Sequence, residues 1–346
     1  MSHSTSQMLL NTAVVSAALL AAPASWASDK SEVQWSGKIY AHYGYMLGDE
    51  AEQYNEFDIK RVYLTAKTKL ARDLSVRVTT DVGRAKPQDI DTDGDGEDDV
   101  AVPEDEKLRV FLKYAYLEWA AADAVTMRFG AAGTPFVGYY DKFWGQRYLA
   151  KSFTDDNKIL DSSDMGVHAL GKVSDGLITW QAAFVNGNGY GTSETSATKA
   201  VQGRVTLDPL AGGDHRLPLT VFASQDVMGS DDEEPVSVLA GAAGYKMDAL
   251  TLWGEYVIQT EGDVSGAGYS VTAIPAIPGV VNVIARYDHW DPDTDADDDA
   301  EATLRTGVAR DLIKKVTTSL TYERTTAEAA PDQPEHGVYV RMQAGF

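Results

Sequence analysis

Apolar and polar side chains alternate with a period of two along most of the chain. Between Trp35 and Leu47, Trp35, Ile39, Ala41, Tyr43 and Tyr45 fall on one face, and Lys38, Tyr40 and His42 on the other. From Phe57 to Leu70, Val62, Leu64, Ala66 and Leu70 alternate with Arg61, Tyr63, Thr65, Lys67 and Lys69. Leu74, Val76, Val78 and Val82 alternate with Ser75, Arg77, Thr79 and Asp81; Leu250, Leu252, Tyr256 and Ile258 alternate with Thr251, Glu255 and Gln259. This period sends successive side chains to opposite faces of a β-strand. Taken through the chain at membrane-strand length, it predicts about sixteen strands. They begin near residues 33, 57, 73, 107, 124, 164, 177, 199, 216, 236, 249, 267, 279, 301, 315 and 337.

Alternation alone fits a soluble sandwich, apolar face inward, as well as a membrane barrel, apolar face to lipid. The connections separate the two. Ala71–Asp73, Ser174–Gly176 and Met247–Asp248 are tight, whereas Arg84–Glu106, Ala132–Ser163 and Asp291–Ala300 are extended. Short turns at one end and long loops at the other are the asymmetry of an outer-membrane barrel, and an even strand count returns both ends to the periplasm.

The N-terminus supplies the route of export. Residues 1–27 carry no charged side chain, and the run Met8–Ala22 is apolar except for Asn11, Thr12 and Ser16. Small residues at Ser25 and Ala27 flank Trp26. The pattern predicts a signal peptide over 1–27, cleaved after Ala27 although its first residues lack Lys and Arg, and a single barrel domain over 28–346. The chain has no cysteine, so an exported form draws nothing from disulfides. Beyond residue 27 no apolar stretch approaches a membrane helix, which leaves β-strands as the spanning element. A net charge of −22 argues against a nucleic-acid binder. The last strand, with Val338, Val340, Met342 and Ala344 on one face and Phe346 at its end, has the form of the terminal strand read by outer-membrane assembly machinery.

The run FDIKRVYLTAKTKL with DLSVRVTTD resembles the opening of porins of the phosphate-selective porin O/P superfamily. So do LKYAYLEW, RFGAAGTPF, SSDMGV and FVNGNG. The resemblance implies a sixteen-stranded barrel, commonly a homotrimer in outer-membrane lipid, whose third long loop folds into the lumen. The matching segment is Ala132–Ser163, which contains TPFVGYYDKFWGQRY. Its aromatics, Phe136, Tyr139, Tyr140, Phe143, Trp144 and Tyr148, favour packing, either inside the pore or against a second subunit. The implied function is a water-filled passive channel for ions and small hydrophilic solutes, with phosphate or anion selectivity as the narrower alternative. An outer-membrane enzyme of the lipase kind and a structural or adhesive barrel are the rivals from other classes.

Charge placement bears on the mechanism. Most of the 52 acidic residues lie in the long loops. By contrast Arg61, Arg77, Arg109, Arg128, Arg204, Arg286, Arg305 and Arg341 fall on the predicted lumen face, since a charge facing lipid at mid-depth costs about 2–4 kcal/mol. Arg77 and Arg128 are placed near the middle of their strands. The expectation is an acidic mouth above a constriction with a positive wall, opposed by Asp141, Lys142, Arg147, Lys151, Asp155 and Asp156 of the infolded loop. Asp91, Asp93, Asp95 and Asp99 take the first, third, fifth and ninth positions of a calcium loop, with Gly96 at the sixth. Val102 stands where an EF-hand has its bidentate Glu, so a calcium site of modest affinity and a solvated acidic loop both stay open. Asp291–Asp299 lacks such a bend and reads as solvated. No cofactor is required. Gly187, Gly189 and Gly191 precede no Lys-Ser/Thr and no helix, so they do not form a phosphate loop. His42 and His168 are expected to line the lumen, and no Ser–His–carboxylate alignment is evident.

Overall fold

The structure is a computed structural model and describes residues 32–47, 55–84, 88–90, 100–102, 107–191, 197–229 and 234–346. The segment read as a signal peptide, residues 1–27, and Asp91, Asp93, Asp95 and Asp99 lie outside the described residues.

In chain order the strands are β1 (Gln34–Leu47), β2 (Asn55–Lys69), β3 (Leu74–Arg84), β4 (Gln88–Ile90), β5 (Val100–Val102) and β6 (Leu108–Ala122). There follow β7 (Val125–Gly133), β8 (Ser163–Val173), β9 (Ile178–Val185), β10 (Lys199–Leu207), β11 (Leu219–Met228) and β12 (Val236–Met247). The last are β13 (Leu250–Glu261), β14 (Val264–Ile277), β15 (Val281–Asp291), β16 (Glu301–Ile313), β17 (Val316–Ala327) and β18 (Glu335–Gly345). All but β4 and β5 join one closed antiparallel barrel, in which each strand pairs with the next and β18 returns to β1. The sixteen strands expected from alternation are therefore present. The β4–β5 hairpin, inside the second long loop, was not legible as separate strands.

Closure satisfies both edges of the sheet. The seam runs from Lys38↔Gly345 to Leu47↔His336, and Gly37 and Phe346 exchange backbone hydrogen bonds of 3.1 Å at its foot. A side chain at Gly37 would collide with the Phe346 ring, which lies 2.1 Å from where its Cβ would stand. Two connections break the expected alternation of lengths. At the loop end, β13 and β14 are joined only by Gly262 and Asp263, with Gly262 at φ +56. At the opposite end the β10–β11 connection is long, and it is ordered by Asp208. That buried carboxylate accepts from the Leu210 and Leu217 amides at 3.2 and 2.9 Å and pairs with Arg216.

The outer face is apolar. Trp35, Phe57, Val110, Val221, Leu239, Tyr256, Val271, Val308, Leu320 and Val340 are all exposed there, a surface that lipid covers in a membrane barrel. The inner face is polar around β1–β3 and β6–β10. On β11–β15 apolar side chains join the polar ones: Phe222, Val238, Ala240, Trp253, Val257, Ile274 and Ile284 are buried, pointing inward. There the long Gly133–Ser163 connection packs and makes the core of the protein inside the barrel. That connection carries helices α1 (Val137–Trp144) and α2 (Phe153–Asp156).

Candidate functional site

The infolded loop sets the shape of the lumen. Val137, Tyr140 and Trp144 recur at helical spacing and bury one side of α1 against the apolar half-wall. Tyr140 meets Trp253 edge-on at 5.3 Å, and Phe136 lies 5.3 Å from Phe222. The helix stops at Gly145, whose φ of +73 suits a residue without Cβ and whose amide donates to Asp141 O. In α2 the Ser152 hydroxyl accepts from the Asp155 amide, and Asp155 and Asp156 occupy the first turn, where the helix dipole favours acids. The aromatics thus pack within the pore, which favours the constriction over the subunit-contact reading.

Cations of the wall fasten this loop by its carbonyls. Arg204 Nε donates to Pro135 O at 2.9 Å, Lys246 Nζ to Phe143 O at 2.8 Å, and Arg286 to Lys151 O at 2.6 Å. Lys113, buried beside the rings of Tyr63, Tyr114 and Tyr190, donates to Ser162 Oγ at 2.9 Å. Ser163 returns a bond to Lys113 O at 2.7 Å. Lys113 and Lys246 escaped the sequence reading, because only the folded loop brings carbonyls to them.

Within the loop, Arg147 joins the two helices: Asp141 lies 3.2 Å from its Nε, and Asp155, also held by Lys151, 2.9 Å from its terminal nitrogen. Burial raises the Asp141 pKa above the usual carboxylate range, partly offset by Arg147. Burial also works against the Arg147 cation, but Asp141, Tyr63 and Asp155 outweigh it and raise its pKa. Four of the six predicted loop charges, Asp141, Arg147, Lys151 and Asp155, are thus spent on one another. A fifth, Asp156, reaches the wall and pairs with Arg305 at 2.7 Å. Of these six, Lys142 is exposed and has no carboxylate partner among the described residues. Burial of its surroundings, then the charges of Arg128, Arg77 and Arg204, lower its pKa.

The eight arginines divide. Arg61 pairs with Asp81 at 2.9 Å and Arg128 with Glu118 at 2.9 Å. Arg286 and Arg305 share Asp288 at 2.8 and 2.6 Å, and Arg341 pairs with Glu323 at 2.9 Å. Arg109 is exposed at the loop end of β6, away from this group. Among the described residues, Arg77 and Arg204 have no carboxylate partner. Arg77 donates to Thr79 at 3.0 Å and lies 4.7 Å from the Tyr114 ring; Arg204 lies 4.3 Å from the Tyr139 ring. Arg77 and Arg128 are each the fourth residue of β3 and β7, so they sit nearer the tight-turn end than the predicted mid-strand position. His42 and His168 are both buried on the inner side. Below the loop a cavity of about 710 Å³ opens between Lys142, Phe143, Lys246, Arg216 and Asn282.

A closed barrel with an apolar exterior, a charged interior and a loop that narrows its lumen defines a passive channel of the outer membrane. Residues 12–330 match the Gram-negative porin family, and the chain belongs to it. The porin resemblance read from the short motifs agrees at the level of the superfamily. Among solved structures, the anion-selective porin of Comamonas acidovorans is similar at TM-score 0.63 and 14% identity, covering 92% of this chain and 100% of its own. Pseudomonas putida OprB, in its high-pH structure, gives 0.65 at 9% identity, over 91% of this chain and 94% of its own. The trimer form of in-vitro folded OmpT from Vibrio cholerae gives 0.58 at 10%, over 92% and 100%. No curated protein matches the sequence.

Proposed function

We propose that this porin is a non-enzymatic, homotrimeric diffusion pore for ions and small hydrophilic solutes whose narrow zone favours anions. The observation that carries the anion preference is the set Arg77, Arg204 and Lys142. Lys142 of the infolded loop feels the charges of both Arg77 and Arg204, and among the described residues none of the three has a carboxylate partner, while the other mid-lumen arginines are neutralised in pairs. In a passage of reduced dielectric, uncompensated charge acts strongly on a passing ion, and compensated pairs act weakly. The likeness to an anion-selective porin and to a trimeric barrel supports the same reading. The acidic loop with Asp91, Asp93, Asp95 and Asp99 adds a calcium site in this proposal, supported by its ligand spacing.

Planar-bilayer recording on the purified barrel tests the proposal. A reversal potential displaced toward the anion in a KCl gradient is expected, and replacing chloride by phosphate measures how far the preference extends to phosphate. A cation-displaced reversal potential would overturn the assignment. Absence of conductance from a folded barrel would favour the structural or enzymatic rivals.

A further inference from the structure

We infer that the loop-end half of the lumen carries a divalent transition-metal site of the zinc class, built from His42, Glu56 and Asp58. The sheet itself assembles it. His42 pairs in register with Asp58, and Gly44 on the same side of β1 pairs with Glu56. A bulge at Lys60 shifts the register between Tyr40↔Arg61 and Ala41↔Ile59. Because side-chain direction has period two, that one extra residue keeps Asp58 and Glu56 inward along with Arg61, and turns Phe57 and Ile59 outward. Without the bulge both acids would face lipid.

The donor geometry suits a tetrahedral ion. His42 Nε2 and Glu56 Oε1 are 3.4 Å apart. Metal–ligand bonds of about 2.0–2.1 Å give a tetrahedron edge of roughly 3.3–3.4 Å. All three ligand atoms lie within 4.8 Å of one another, so a rotamer adjustment of the Asp58 carboxylate closes the set. His42 and Asp58 are each only 8% exposed, on adjacent strands of a hydrogen-bonded sheet, so little order remains to be gained on binding. The His42 ring is braced by the edge of Tyr339 at 5.8 Å, in space left open by Gly44.

A cation already sits at this position. Lys60 Nζ is 3.0 Å from Asp58 and 3.5 Å from Glu56, on a half-exposed and flexible stem. The site therefore favours positive charge, and Lys60 is the group an entering ion displaces. Arg341, across the seam from His42, is committed to Glu323 at 2.9 Å. One imidazole, two carboxylates and an open fourth position match zinc-class ions. They match calcium poorly, which takes six to eight oxygens. An ion held here neutralises Glu56 and Asp58, leaves the Lys60 charge uncompensated and moves the pore toward anions.

Isothermal titration of the detergent-purified, folded barrel with ZnCl2 tests the site, with MgCl2 and CaCl2 as competitors. One zinc per chain is expected, undisturbed by equimolar calcium or magnesium. His42→Gln and the pair Glu56→Gln/Asp58→Asn should weaken binding at least about tenfold, and Lys60→Met should tighten it. Heat-modifiability on gels shows that each variant is folded, and Zn2+-dependent change in reversal potential gives a second reading that vanishes in His42→Gln. Zinc binding that is absent from the parent, or equally tight in His42→Gln and in the double variant, overturns the proposal.

Discussion

Removing two of the uncompensated cations, Arg77→Gln with Lys142→Gln, isolates what they do. Neither side chain holds the loop: Arg77 bonds only Thr79 on its own strand, and Lys142 is exposed on α1. For an ion passing at about 8 Å in water, each unit charge contributes about 0.5 kcal/mol unscreened, and about 0.23 kcal/mol at 0.1 M salt, where the Debye length is about 10 Å. Two charges then change the local concentration of either ion about 2.2-fold, in opposite senses for anion and cation, so the permeability ratio falls about fivefold. At 1 M salt, with screening near 3 Å, the change shrinks to about 1.3-fold. Reversal potentials in KCl gradients at the two ionic strengths read this directly. The control deletes a neutral pair, Arg128→Gln with Glu118→Gln, and should leave selectivity almost unchanged. Equal effects in both double variants, or a shift that does not shrink with salt, would refute the assignment. Lys142 adds a pH signature. Its lowered pKa means that its charge is lost as pH rises before that of an ordinary lysine. Anion preference should decline over that alkaline limb in the parent and stay flat in Lys142→Gln.

Three further outcomes test other parts of the structure. Gly37→Val should drive the Phe346 ring off the seam and lower the temperature at which the barrel unfolds on heat-modifiability gels; an unchanged midpoint would remove that packing from the closure argument. Trp144→Ala should cost about 3–5 kcal/mol of loop docking and appear as larger, noisier single-channel conductance with the barrel intact; quiet, parent-like channels would contradict the account of the apolar half-wall. Replacing Asp91, Asp93, Asp95 and Asp99 together by Asn should abolish calcium-dependent protection of that loop from proteases, and equal cleavage of the parent with calcium or chelator would establish the solvated loop.

The barrel is legible in the chain alone. A period of two that persists through most of the chain, broken by turns of sorted length, leaves few alternatives, because an open sheet with this much apolar outer face would have neither core nor covered edge. It also argues for turning mid-strand arginines away from lipid, since a charge on the lipid face at mid-depth is too costly. The interior depends on contacts between distant segments. Trp253 and Val257 occupy positions that alternation assigns to the wet face, and they are apolar because α1 packs there; nothing within β13 announces a partner about a hundred residues earlier. Whether an arginine is a pore charge or half of a pair depends on register. Glu323 stands directly opposite Arg305, and Glu118 opposite Arg128, while Arg77 faces Lys67 on one side and Tyr116 on the other. Register is fixed by bulges and turns acting between strands, so a period read along one strand carries no information about it. The bulge at Lys60 shows the consequence: one extra residue moves two carboxylates from the lipid to the lumen beside a histidine of the neighbouring strand.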